Sequence, residues 1–212
     1  MTQITRPTNT TQHHLRDPLA LIDRFVASFG ELDDMSANEL LDPVAWGLAT
    51  GELDRYGDKR WRPIRMNTSR DALEPIYAKL PARFPPIYEQ LVLSYRWAEV
   101  DLQSYRLLAN PAGPALSGLL EEMSKDSAIW NSLRAAGYAQ FGKGPDMDYD
   151  PVCFDFARRD KNQDCRIVKI GHEEILCHDR VKVIAELAPS FEQLVLRTIY
   201  RPHESNPTGT GT

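Results

Sequence analysis

Apolar residues recur at two different periods along this chain, and their order limits the architectures open to it. In PVCFDFA (residues 151–157) Val152, Phe154 and Phe156 alternate with other residues, so they share one face of a strand. A charged turn, Arg158–Asp164, leads to CRIVKI (165–170), a second strand, and Glu174–Cys177 reads as a third. Strands joined by short polar turns pair antiparallel, as a meander with one face buried. On both sides of this cluster the period is helical.

The helical segments carry their own punctuation. Asp17-Pro18 opens the first, with Leu19, Ile22, Phe25, Val26 and Phe29 on one stripe and Gly30 as its stop. Pro85-Pro86 starts a second, with Ile87, Leu91 and Tyr95 at four-residue steps, ending near Trp97. Leu116, Leu119, Leu120 and Met123 form a third stripe. Asp126 caps a fourth, with Ile129, Trp130 and Leu133, ended by Gly137. Ser190 caps the last, with Gln193 placed for a capping box and Phe191, Leu194, Val195 and Ile199 facing inward. Val100–Asn110 reads as a strand closed by Asn110-Pro111. A short helix is expected over Ala37–Leu41, and the stretch from Trp46 to Trp61 reads as loops with one strand pair. Helices bracketing a strand cluster, without strand–helix alternation, indicate an α+β fold, a mostly antiparallel sheet flanked by helices.

With 212 residues the chain has room for one domain, expected over 17–200, with disordered polar tails at 1–16 and 201–212. The 25 Lys+Arg against 30 Asp+Glu leave a net charge of −5, which argues against direct binding of nucleic acid or acidic membranes. No apolar run approaches the roughly 20 residues of a membrane span, and residues 1–17 lack the apolar core of a secretory signal. Three cysteines, Cys153, Cys165 and Cys177, then read as free thiols in a reducing cytoplasm. Their spacing matches the interval at which strands and turns repeat.

Each string that suggests chemistry has a simpler reading. In GHEEILCH, His172 and His178 are six apart rather than the four that a helical zinc site uses. On a strand they would lie too far apart for one metal. PDMDYDP places Asp146, Asp148 and Asp150 as a calcium loop would, but Pro151 stands where that loop needs Gly and Ala157 where it needs Glu. FGKGPD, with Gly142, Lys143 and Gly144, lacks the phosphate-loop spacing and reads as a turn. No G-x-S-x-G occurs. A pair of Cys153 or Cys165 with His172 remains open, because such pairs form in space. Trp46, Trp61, Trp97 and Trp130 each have apolar company and read as packing residues. No metal and no cofactor is called for.

Four strings occur in an order that resembles a known family. They are LPARFPPIYEQLVLSYRW (80–97); LLAN (107–110); YDPVCFDFARRDKNQDCRIVKIGHEEIL (149–176); and APSFEQLV (188–195). Leu80-Pro81 leads into a helix carrying Tyr88. Phe154-Asp155 sits on a strand, His172-Glu173-Glu174 follows the next strand, and Ser190-Phe191-Glu192 opens the last helix. Together they resemble the SUKH superfamily, α+β domains related to the yeast Smi/Knr regulators. The resemblance spans about 36–200 and is densest over 80–200. It implies a non-enzymatic protein-binding module, in bacteria an immunity-type protein that neutralises a secreted toxin, often a nuclease. A mildly acidic chain suits a basic partner. The expected binding surface gathers Asp146, Asp148, Tyr149, Asp150, Asp155, Glu173 and Glu174. The alternative is a small metal- or Cys-dependent hydrolase built around His172, Glu173 and His178.

Overall fold

A computed structural model describes residues 17–29, 35–37, 43–54, 56–113 and 115–200. Both expected tails, the stop at Gly30 and most of the helix expected over 37–41 lie outside these residues.

The chain opens with α1 (Pro18–Phe29), whose first turn is capped by Asp17 Oδ1 accepting from the Leu19 amide at 3.0 Å. A small antiparallel sheet follows. It orders β1 (Ser36–Ala37), β3 (Lys59–Trp61) and β2 (Ala49–Leu53), with the one-turn helix α2 (Pro43–Gly47) between β1 and β2. This supplies the strand pair expected between the two tryptophans, and Trp61 is buried as expected. Next come β4 (Ile64–Arg65), a 3₁₀ turn (Arg70–Leu73), α3 (Glu74–Tyr77), α4 (Pro86–Ser94) and β5 (Tyr95–Arg96), with β4 and β5 paired antiparallel.

Helix α4 ends earlier than its period suggests because its last carbonyls are taken by buried side chains. The Arg96 guanidinium donates to Val92 O (2.8 Å), Tyr95 O (3.1 Å), Gly113 O (3.0 Å) and Thr68 Oγ1 (2.7 Å). Asn110 Nδ2 donates to the same Val92 and Tyr95 carbonyls. A cation at a helix C-terminus meets the negative end of the helix dipole. Those carbonyls thereby stand in for a carboxylate partner.

The main sheet orders β6 (Val100–Asp101), β7 (Arg106–Leu107), β8 (Tyr138–Lys143), β9 (Pro151–Arg159), β10 (Cys165–Ile170) and β11 (Val183–Ala188), each antiparallel to its neighbour. Helices α5 (Ser117–Ser124) and α6 (Ser127–Ala135) precede β8. α7 (His172–His178) joins β10 to β11, and α8 (Phe191–Ile199) closes the chain. Asp126 and Ser190 cap α6 and α8 as their sequence positions imply. The fold is α+β, a six-stranded antiparallel sheet with helices around it. No helix among the described residues is long and apolar enough to cross a membrane.

Four sequence expectations need correction. Val100–Asn110 is a tight hairpin rather than one strand: Asp101 Oδ1 accepts from the Gln103 amide at 2.7 Å, and Gln103 takes a left-handed φ of 65°. FGK belongs to strand β8 rather than to a turn. Gly142 sits where a Cβ would lie 2.6 Å from Arg106 O, so close pairing with β7 requires a glycine there. Glu174–Cys177 is helix rather than strand. Only Ile175 of α7 is buried, and Asp179 ends the helix at φ 48°. The third strand of the meander lies further on, at β11.

The fourth correction concerns the sheet's faces: both are covered. On one, Phe141, Phe154, Tyr88, Phe84 and Phe191 form a ring cluster, with Phe141 and Phe154 stacked at 4.3 Å. Each ring contributes about 2–3 kcal/mol by burial. On the other, Cys153, Val168 and Ile170 pack under Ile129, Leu133 and Ile175 of α6 and α7. Alternation in PVCFDFA conceals this, because the second face is lined by a cysteine and an acid rather than by large aliphatics. All three cysteines are free, two of them buried, and burial pushes the Cys165 thiol up to about 12.

Candidate partner-binding site

The loop from Gly144 to Asp150 joins β8 to β9 and is held from three sides. Its own backbone closes first: the Gly144 amide donates to Asp150 O (3.0 Å), and the Asp148 amide to Pro145 O (2.9 Å). Gly144 has no room for a side chain, since a Cβ would meet Asp148 Cγ at 2.1 Å. Asp146 takes a left-handed φ of 51°, a conformation Asp tolerates better than most residues.

From β7, Arg106 reaches under the loop. Its Nε donates to Gly144 O (3.0 Å) and its Nη2 to Asp148 O (3.2 Å), while the guanidinium carbon lies 5.8 Å from the Tyr149 ring centre. Glu99 pairs with both Arg106 (3.5 Å) and Lys143 (2.6 Å). From β10, Lys169 Nζ binds Asp148 Oδ2 at 2.8 Å. Burial raises the Asp148 pKa, but the Lys169 ammonium and the Asp150 amide outweigh it and hold the carboxyl below the usual range. From α7, both the His172 amide (2.8 Å) and its ring Nδ1 (2.7 Å) meet Asp150 Oδ1.

The seven residues read as one surface therefore divide. Asp148 and Asp150 work inward, bracing the loop. Asp155 is 3% exposed and binds Arg166 at 2.6 Å, and its other oxygen accepts from the Ala157 amide. It belongs to the sheet's second face, with Arg166 extending to Glu186 at 3.2 Å. Glu174 is bonded by Arg180 and by Lys182 (3.1 Å), which hold its carboxyl below the usual range. Asp146, Tyr149 and Glu173 are exposed. Beside them stands Met147, at 76% exposure, with Tyr149 at 52%.

Sequence reasoning missed Met147, Arg106 and Lys169. Met147 was within sight, in the middle of the acidic string. Arg106 and Lys169 carry no local signal, since only sheet pairing brings β7 and β10 to the loop.

The residues of the hydrolase alternative are not drawn together. His172 and His178 stand at opposite ends of α7, about 9 Å apart along the axis and about 120° apart around it. His172 is engaged with Asp150. Among the described residues no three His, Cys, Asp or Glu side chains are arranged to share a metal ion.

No family model matches the chain, and no curated protein or solved structure is detectably similar to it.

Proposed function

We propose that the chain is a non-enzymatic protein-binding module of the SUKH immunity type, which holds a basic toxin domain against the Gly144–Asp150 loop in the cytoplasm. One observation carries the reading: two large apolar side chains, Met147 and Tyr149, stand exposed on a loop that is fixed from three elements. A binding surface works best when a few anchors are already ordered and surrounded by a polar rim, because little entropy is then lost on association. Asp146 and Glu173 supply an acidic rim, suited to steering a basic partner.

The division of labour in the loop decides which substitutions are informative. Replacing Asp148, Asp150 or Glu174 would disturb bonds within the protein. Met147→Ala with Tyr149→Ala, and Asp146→Lys with Glu173→Lys, change exposed side chains; because the Tyr149 ring also lies over Arg106 and position 146 is left-handed, urea unfolding of each variant accompanies the binding measurement. The test is a search beside the gene for a large secreted toxin with a basic C-terminal domain, followed by binding of the full chain to that domain; a neighbourhood without such a gene counts against the proposal. The double alanine variant should lose about 30-fold in affinity, mostly through faster dissociation. The double lysine variant should slow association, most at low salt. No binding by the wild-type chain would sink the proposal. Binding that neither pair changes would remove the interface from this loop.

A further inference from the structure

Of the eight large apolar side chains exposed among the described residues, four lie on α7 or on segments bonded to its start. Met147 and Tyr149 are on the Gly144–Asp150 loop, which the Asp150 carboxylate joins to His172. Leu176, at 52% exposure, is on α7 itself. Ile184, at 44%, is on β11, and the Lys182 carbonyl just before that strand accepts from the Gly171 amide at 3.1 Å. A Cβ at Gly171 would lie 3.3 Å from Glu174 Cγ and 3.4 Å from Ile184 Cγ2, so Ile184 adjoins the first turn of the helix. Within α7, Glu173, Leu176 and Cys177 are three and four positions apart and share one face. All three are exposed, whereas Ile175 is buried against the sheet. The same segments are acidic: residues 144–150 and 171–184 together hold six carboxylates against two basic residues, Arg180 and Lys182, and Glu174 binds both of those.

On the premise that the loop holds a basic protein domain, we propose that the contact surface continues from the loop over the outer face of α7, with Leu176 as a third apolar anchor and Ile184 beside it. Size requires a continuation. A specific interface of ordinary extent covers about 800 Å² on each partner, drawn from about 20 residues. The seven residues of the loop supply a fraction of that. Two neighbours are bonded to the loop. The β6–β7 hairpin is one, where Asp101 Oδ2 accepts from the Asp146 amide at 3.3 Å, but it exposes no large apolar side chain. α7 is the other, and it does. Charge selects the same partner as the loop. A basic surface meets net negative charge all along this path, and the two cations on it are already held by Glu174.

The probe is the basic toxin domain sought beside the gene, and two measurements on the full chain use it. Cys177 is exposed while Cys153 and Cys165 are buried, so N-ethylmaleimide marks the outer face of α7 in the folded protein. Saturating toxin domain should slow alkylation of Cys177 about ten-fold or more, because the centre of an interface excludes solvent. Leu176→Ala with Ile184→Thr keeps a good helix former and a good strand former at these positions. This variant should bind about ten-fold more weakly than the wild type, through faster dissociation. Alkylation in the saturated complex at the rate of the free chain overturns the proposal, and so does a folded double variant that binds as tightly as the wild type. Should circular dichroism show that variant unfolded, the alkylation rate decides alone. Absence of such a domain, or its failure to bind the wild type, takes down the loop reading together with this one. A complex weakened by Met147→Ala with Tyr149→Ala but unprotected at Cys177 leaves the loop reading standing and confines the interface to the loop.

Discussion

At the scale of single residues, Tyr88 carries a polar group out of keeping with its setting. The Tyr88 hydroxyl is fully buried and has no hydrogen-bond partner among the described residues, while its ring packs edge-on against Phe84, Phe154 and Phe191. Burial pushes its pKa up, as expected of a phenol that cannot be solvated when charged. An unsatisfied buried hydroxyl costs on the order of 1 kcal/mol or more, so Tyr88→Phe should raise stability by about 1 kcal/mol. Urea unfolding checks this, and a destabilised variant would reveal a partner for the hydroxyl. Asp164 shows the opposite situation. It is also buried, yet its carboxylate accepts from the amides of Cys165 (2.7 Å), Phe191 (2.9 Å) and Glu192 (3.0 Å). Its charge is spread over donors that α8 would otherwise leave unpaired. Sequence reading placed Tyr88 in a helix and Asp164 in a turn, correctly for both. Whether their polar atoms would find partners depended on neighbours far along the chain.

At the scale of elements, the Gly144–Asp150 loop gains its order from hydrogen bonds and ion pairs with β7, β10 and α7, and the Asp148–Lys169 pair makes it sensitive to acid. The folded pKa of Asp148 is lowered, so its contribution to stability is present above the ordinary carboxylate pKa and is lost as pH falls through the folded value. At neutral pH the loop should keep its structure, and once pH falls below the ordinary carboxylate range it should loosen while the sheet remains. Amide exchange at Asp148 and Asp150, followed from pH 6 to pH 2.5, reports this directly. Uniform exchange with no acid step would mean that the Lys169 pair does not hold the loop. Element boundaries were legible where a local device sets them, as at Asp17, Asp126, Gly137 and Ser190. They were misread where a distant contact sets them. α4 stops at Ser94, where the Arg96 side chain turns back onto the carbonyls of Val92 and Tyr95. Glu174–Cys177 is helical because Ile175 has the second face of the sheet to cover. Four residues are too few for a period to separate helix from strand.

At the scale of the whole molecule, the sheet ends in β11, whose outer edge has no neighbouring strand among the described residues. Two bulges against β10 and the charges of Lys182 and Glu186 at this edge oppose pairing with another chain. Lys182→Val with Glu186→Val should therefore produce concentration-dependent association without loss of secondary structure. Sedimentation velocity detects it, and an unchanged profile would mean that the bulges alone protect the edge. The α+β class, the strands at β9 and β10, the caps and the apolar stripes were all contained in the order of residues. Each is produced by side chains within a few positions of one another, so period and turn chemistry suffice to read it. Tertiary structure alone decided three things: that both faces of the sheet are covered, that Asp155 is buried beside Arg166 while Tyr149 is exposed, and that Arg106, Lys169 and His172 meet at one loop. Their partners lie 11 to 42 positions apart in the chain, and only pairing of β7 to β8, β8 to β9 and β9 to β10 brings them within bonding distance.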